Sequence, residues 1–166
     1  APPLEDRRWW RFTHALGFCT GGVFFALGTT LYYLAMGADA AEVARLGDLT
    51  ARLYIVGSLG FLYVDVQEFL TFTDSAALRL NIACSMLGST LYVIGSAGFL
   101  STIYAMTPLI GILGFIGGSA AIGLSQTWKL WRILAAPVEP GGNPAHRTTA
   151  AFVEGGAMVG GYGFLV

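Results

Sequence analysis

The sequence predicts an all-α integral membrane protein: a four-transmembrane-helix bundle built from a duplicated helical hairpin, with an extended, Pro/Gly-rich C-terminal arm. Three observations predict it. Charged residues make up 11% of the 166 residues and hydrophobic residues 55%, whereas a soluble domain carries about 25% charged residues. Four apolar runs of spanning length follow one another. One apolar decapeptide is written twice: LYIVGSLGFL at 53–62 and LYVIGSAGFL at 91–100 share seven of ten positions, and two more exchange Ile and Val.

Residues 1–14, APPLEDRRWWRFTH, are basic and aromatic and read as an interfacial segment. They contain no apolar core of a signal peptide. The opening on Ala1 fits a removed leader, and a removed transit peptide would place the protein in an organellar membrane, thylakoid or inner mitochondrial.

The first hairpin is read over 15–73. Its first run, 15–36, is 22 residues without a charge. Its second, 50–72, is interrupted only by Arg52 near its start and by Asp65, Gln67 and Glu68 near its end. Between them GADAAEVARLGDL, 37–49, reads as a polar link holding one short interfacial helix. The second hairpin is read over 74–135. Its runs are 80–106, uncharged, and 109–130, uncharged until Lys129. Asp74 is placed to cap the third helix and Pro108 to open the fourth.

A helix needs roughly 20 apolar residues to cross a bilayer, and lipid leaves no free backbone group satisfied, so helices are the natural form. A transmembrane barrel would require strict alternation over about ten residues, which these runs do not show. Residues 136–166 form the arm and an apolar tail. APVEPGGNPAHR, with three prolines and two glycines, should be extended. The tail FVEGGAMVGGYGFLV is too short and Gly-rich to read as a span.

Lys and Arg set the orientation. With four crossings, Arg7, Arg8, Arg11, Arg79, Lys129, Arg132 and Arg147 share one side and only Arg45 and Arg52 the other. Both termini are therefore expected on the same cytoplasmic, matrix or stromal side, with Trp9, Trp10, Trp128 and Trp131 at its border.

The repeated decapeptide has two looser copies, FALGTTLYY and FIGGSAAIG. Aligned, Gly28-Thr29, Gly57-Ser58, Gly95-Ser96 and Gly118-Ser119 coincide. Each pair follows an aromatic three residues earlier: Phe25, Tyr54, Tyr92 and Phe115. Small residues let helix backbones approach where no hydrophobic effect drives association. The expected packing residues are Gly28, Gly57, Ser58, Gly95, Ser96, Gly114, Gly118 and Ser119, with Gly114 and Gly118 forming a small-xxx-small pair.

LYIVGSLGFLYVDVQEF and LNIACSMLGSTLYVIGSAGFL resemble the YrhK-like membrane domain family. The resemblance covers 15–135 as two tandem hairpin units. It implies a fold and no activity.

Asp65 and Glu68 share a helix face near the end of the second run. Acidic groups there either pair with Arg79, Lys129 or Arg132 at the headgroups, or serve a function. In the second case Asp65, Gln67 and Glu68 are the candidate ligands for an ion or for a pigment magnesium. Chlorophyll, carotenoid or lipid bound at the helix surface is the expected cofactor class, and none is required. The tail VEGGAMVGGYGFLV is similar to a helix of light-harvesting chlorophyll proteins at Glu154, Ala157 and Met158, but has Gly156 where that helix carries Arg.

His14 and His146 stand apart, and no HxxxH, CxxC or ExxH spacing offers a metal site. Cys19 and Cys84 lie in apolar runs and read as small core residues. No Ser-His-Asp set or phosphate loop is present, and balanced charge argues against nucleic acid. The expected function is a non-catalytic accessory or structural subunit of a larger membrane complex, an energy-converting one, photosynthetic or respiratory. Its partners would be other membrane subunits and lipids. The alternative is a small transporter or channel acting as an oligomer.

Overall fold

The computed structural model describes residues 3–72, 75–136 and 144–164. After a 3-10 turn at Leu4–Asp6 come six helices: α1 (Arg8–Ala35), α2 (Ala40–Thr71), α3 (Ala76–Gly98), the single turn α4 (Ser101–Tyr104), α5 (Pro108–Ala135) and α6 (Pro144–Gly163). No strand occurs among the described residues. By length and composition α1, α2, α3 and α5 are able to cross a membrane. The protein is a multi-pass helical membrane bundle.

The boundaries depart from the sequence reading at four places, each for a local reason. The expected link over 37–49 is mostly the start of α2. Asp39 caps that helix, its side chain accepting from Glu42 N at 2.9 Å, and the Ala-rich stretch behind it favours helix. The turn that remains is short and passes through Gly37 at φ +91°, a conformation that suits glycine.

Second, α3 is capped by Ser75, which accepts from Leu78 N at 3.3 Å; Asp74, expected as the cap, lies outside the described residues. Third, α3 stops at Gly98 instead of running to 106. Asp48, on the added turns of α2, takes Ser101 N at 2.6 Å and Ser101 Oγ at 3.0 Å. This anchors α4 before Pro108 opens α5 in its first turn.

Fourth, the arm is helical from Pro144 onward, not extended; 137–143 lie outside the described residues. Each glycine in a helix costs about 1 kcal/mol against alanine. Packing offsets this where α6 meets α5: a Cβ on Gly161 would stand 3.2 Å from Gly123 N, and one on Gly123 would overlap Tyr162. Arg147 donates to Leu134 O, tying the start of α6 to the end of α5.

The long helices run antiparallel in succession. α1 packs along α2, α2 along α3, α3 along α5 and α5 along α6. α1 and α5 make no extended contact. The space between them is lined by α6 and holds the cavity described below. Outward faces carry large apolar side chains, among them Tyr33, Leu70, Met106 and Trp131.

Candidate functional site

The interior is layered, and the middle layer explains the repeated decapeptide. In each hairpin, the aromatic of one helix lies over the motif glycine of the other. A Cβ on Gly28 would meet Tyr54 at 2.7 Å, and one on Gly57 would meet Phe25 at 2.7 Å. In the second hairpin a Cβ on Gly95 would meet the Phe115 ring at 2.9 Å, and one on Gly118 would meet the Tyr92 ring at 3.0 Å. The exchange is reciprocal in both hairpins.

The residue after each glycine joins in where it can. Tyr54 Oη lies 3.0 Å from Thr29 Oγ1, and Tyr92 Oη lies 2.8 Å from Ser119 Oγ. The phenylalanines have no hydroxyl to offer. Opposite Phe25, Ser58 donates to Tyr54 O of its own helix at 2.7 Å. Opposite Phe115, Ser96 Oγ is buried without a partner. Gly114 packs on the other side of the same contact, against the Gly95 backbone.

The four rings close on one another at the centre. Phe25–Tyr54 and Tyr92–Phe115 centroids are 4.9 Å and 5.1 Å apart within the hairpins, and Phe25–Tyr92 and Tyr54–Phe115 are both 5.6 Å apart between them. Phe164, just beyond α6, stands within 5.8 to 6.5 Å of all four rings. Edge-to-face and offset geometry at such distances is favourable.

A polar layer closes the end of the bundle where α1 begins and α2 ends. Glu68 is its hub: one carboxylate oxygen lies 2.9 Å from His14 Nε2, and the other accepts from Lys129 Nζ at 3.2 Å. Gln67 donates to Trp10 O and Thr13 Oγ1, at 3.1 and 3.0 Å, and Trp10 Nε1 donates to Thr71 Oγ1 at 2.9 Å. The indole stacks on the His14 ring at 4.7 Å. Glu154 on α6 lies near enough to Lys129 to interact with it electrostatically.

Between the polar layer and the rings is a cavity of about 220 Å³. Its wall is mostly aromatic and aliphatic, including Phe18, Phe61, Tyr92, Ile122 and Phe164. Four polar residues interrupt it: Asp65 from α2, Ser85 and Ser89 from α3, and Gln126 from α5. Asp65 is 5% exposed and accepts from Ser89 Oγ at 2.6 Å. Gln126 is 6% exposed, and its Oε1 has no hydrogen-bond partner.

The candidate residues therefore divide. Glu68 does pair with Lys129. Asp65 does not sit at the border against a base: among the described residues it makes no ion pair and faces the cavity. Arg79 instead lies over the Phe69 ring, 4.7 Å from its centroid. Gln67 and Glu68 are committed to contacts inside the bundle. Cys19 is exposed and Cys84 half-buried, so neither is a fully buried core residue. The described residues hold no group of three or more His, Cys, Asp or Glu able to hold a metal ion.

Sequence reasoning passed over the polar stripe of α3. Asn81, Ser85, Ser89 and Ser96 share one face in an uncharged run, and all are buried. Asn81 Nδ2 donates to Ser125 O at 2.9 Å, and Ser125 Oγ returns a bond to Asn81 O at 3.2 Å, clamping α3 to α5. The signal was present as a four-residue spacing of small polar side chains. Phe164 left none, because its role depends on α6 folding back along α5.

No protein-family model, curated protein or solved structure matches the chain.

Proposed function

We propose that this membrane bundle is a non-catalytic accessory subunit of a larger membrane assembly. The observation that carries the reading is the outer surface of α6. This helix is not one of the four of spanning length and apolarity. It still turns Phe152, 83% exposed, and Val159, 66% exposed, away from the bundle. Apolar side chains of that size on the far side of a short helix call for lipid or a neighbouring subunit to cover them. An energy-converting assembly in a thylakoid or inner mitochondrial membrane is the host this reading expects.

The reciprocal ring-over-glycine packing supports a duplicated hairpin, and with it the kinship to YrhK-like membrane domains. Duplication followed by divergence accounts for one Tyr and one Phe per hairpin in exchanged positions. The proposal also keeps the start of the first span and the end of the last on one side, with the seven basic residues named above.

Extraction of the tagged protein from its native membrane in a mild detergent tests the reading. It should migrate with stoichiometric partner subunits, which mass spectrometry identifies. A particle holding only this chain, active in liposome transport, would support the second reading, a small transporter. That alternative is favoured by one observation, the unpaired Asp65 in a central cavity.

A further inference from the structure

We propose that the cavity between α2, α3, α5 and α6 is a binding site for a small organic ammonium ion carried on a compact apolar body. Three independent features of the wall select that chemistry, and they hold whether or not the bundle sits in a larger assembly.

The first is charge. Asp65, Glu68 and Glu154 gather around a single lysine, Lys129, whose ammonium is already held by Glu68. His14 can supply one further positive charge, and it too is engaged with Glu68. That sets three carboxylates against two basic groups, and Asp65 is the carboxylate that faces the cavity without an ion-pair partner among the described residues. A buried charge is costly unless it is paired, so a cation is the ligand this wall favours.

The second is hydrogen bonding. Gln126 presents a buried carboxamide whose oxygen has no partner, on the helix across the cavity from Asp65. An ammonium carries two or three N–H donors, enough to meet the Asp65 carboxylate and the Gln126 oxygen together. Among the described residues this wall offers a metal cation a single carboxylate, with no group of three or more His, Cys, Asp or Glu beside it.

The third is shape. The remaining wall is rings and aliphatic groups, with Phe18, Phe25, Phe61, Tyr92 and Phe164 lining the space, and aromatic rings suit both an apolar body and a cation. The volume of about 220 Å³ exceeds the roughly 150 Å³ of an engineered cavity that takes up benzene. One ring with a short ammonium arm fits.

The experiment uses the full chain in mild detergent with benzylammonium, benzyl alcohol and toluene as probes, read by calorimetry and by thermal shift. Benzylammonium should bind at least about tenfold tighter than benzyl alcohol, the effect of one good charge contact. Asp65→Asn, which keeps the shape, should remove most of that preference while the neutral probes are unchanged. Equal binding of ammonium and alcohol, or a preference that survives Asp65→Asn, overturns the proposal. If Asp65→Asn does not fold, Gln126→Leu decides. It keeps the volume and removes the unpartnered carboxamide oxygen from the wall. This variant should bind benzylammonium several-fold more weakly and toluene as before; unchanged benzylammonium binding would overturn the proposal.

Discussion

At the scale of single residues, two buried groups set the clearest expectations. Ser96 is fully buried with its hydroxyl unpartnered, opposite a phenylalanine, where the equivalent place in the same hairpin has a tyrosine bonded to Ser119. Phe115→Tyr should therefore stabilise the protein by about 1 kcal/mol, the net worth of one hydrogen bond. Thermal unfolding in detergent reads this, and a lower melting temperature would show that the ring does not point at Ser96. Glu68 is the opposite case. It holds both His14 and Lys129 while 13% exposed. Glu68→Leu removes the one carboxylate hydrogen-bonded to the buried lysine among the described residues, leaving Glu154 and Asp65 only at longer range, at a cost of about 3 to 5 kcal/mol. Adding Lys129→Met should recover most of that loss; an equally unstable double variant would mean the ion pair is not the reason. The depth of these groups was only half legible in the sequence. The acidic residues stood out by charge, but which of them met a base depended on helix rotation, and a difference of three positions sent Asp65 to the cavity and Glu68 to the lysine.

At the scale of elements, the packing of each hairpin rests on glycines in contact. The four long helices and the small residues at their middles were legible, because uncharged runs and a repeated Gly-Ser frame follow directly from the sequence. The ring-over-glycine exchange was not, since it requires the register between antiparallel helices. Gly57→Leu and Gly95→Leu should prevent assembly, because the Cβ alone would lie 2.7 Å from Phe25 and 2.8 Å from the Phe115 backbone nitrogen. By contrast, a Cβ on Gly22 meets nothing within 4 Å, and Gly22→Ala should stabilise α1 by about 0.5 to 1 kcal/mol. If the two classes of glycine respond alike, close approach is not what holds the hairpins. Gly28 gives the cleanest pairwise case, since its near neighbours are all atoms of the Tyr54 ring. Tyr54→Leu should relieve part of the damage done by Gly28→Ala, with a coupling of about 0.5 to 3 kcal/mol in a double-mutant cycle. Strictly additive losses would separate the two residues.

At the scale of the whole molecule, α6 is the element that sequence periodicity least suggested. Its five glycines argue against a helix by propensity, and only its seat along α5, with Phe164 among the four central rings, makes it one. Its loss should uncover the α1–α5 side of the bundle. A chain ending at Ala136 should keep its four long helices but unfold at a lower temperature and bind apolar dyes more strongly. A bundle of this kind requires α1, α2, α3 and α5 to cross a membrane in alternation. Cysteine labelling with an impermeant reagent, in a Cys19→Ala, Cys84→Ala background, tests that directly. Pro3→Cys and Ala145→Cys should label from one side of sealed vesicles, and Ala38→Cys and Met106→Cys from the other. Labelling of all four from one face, or of Pro3→Cys and Ala145→Cys from opposite faces, would contradict a bundle of four spans.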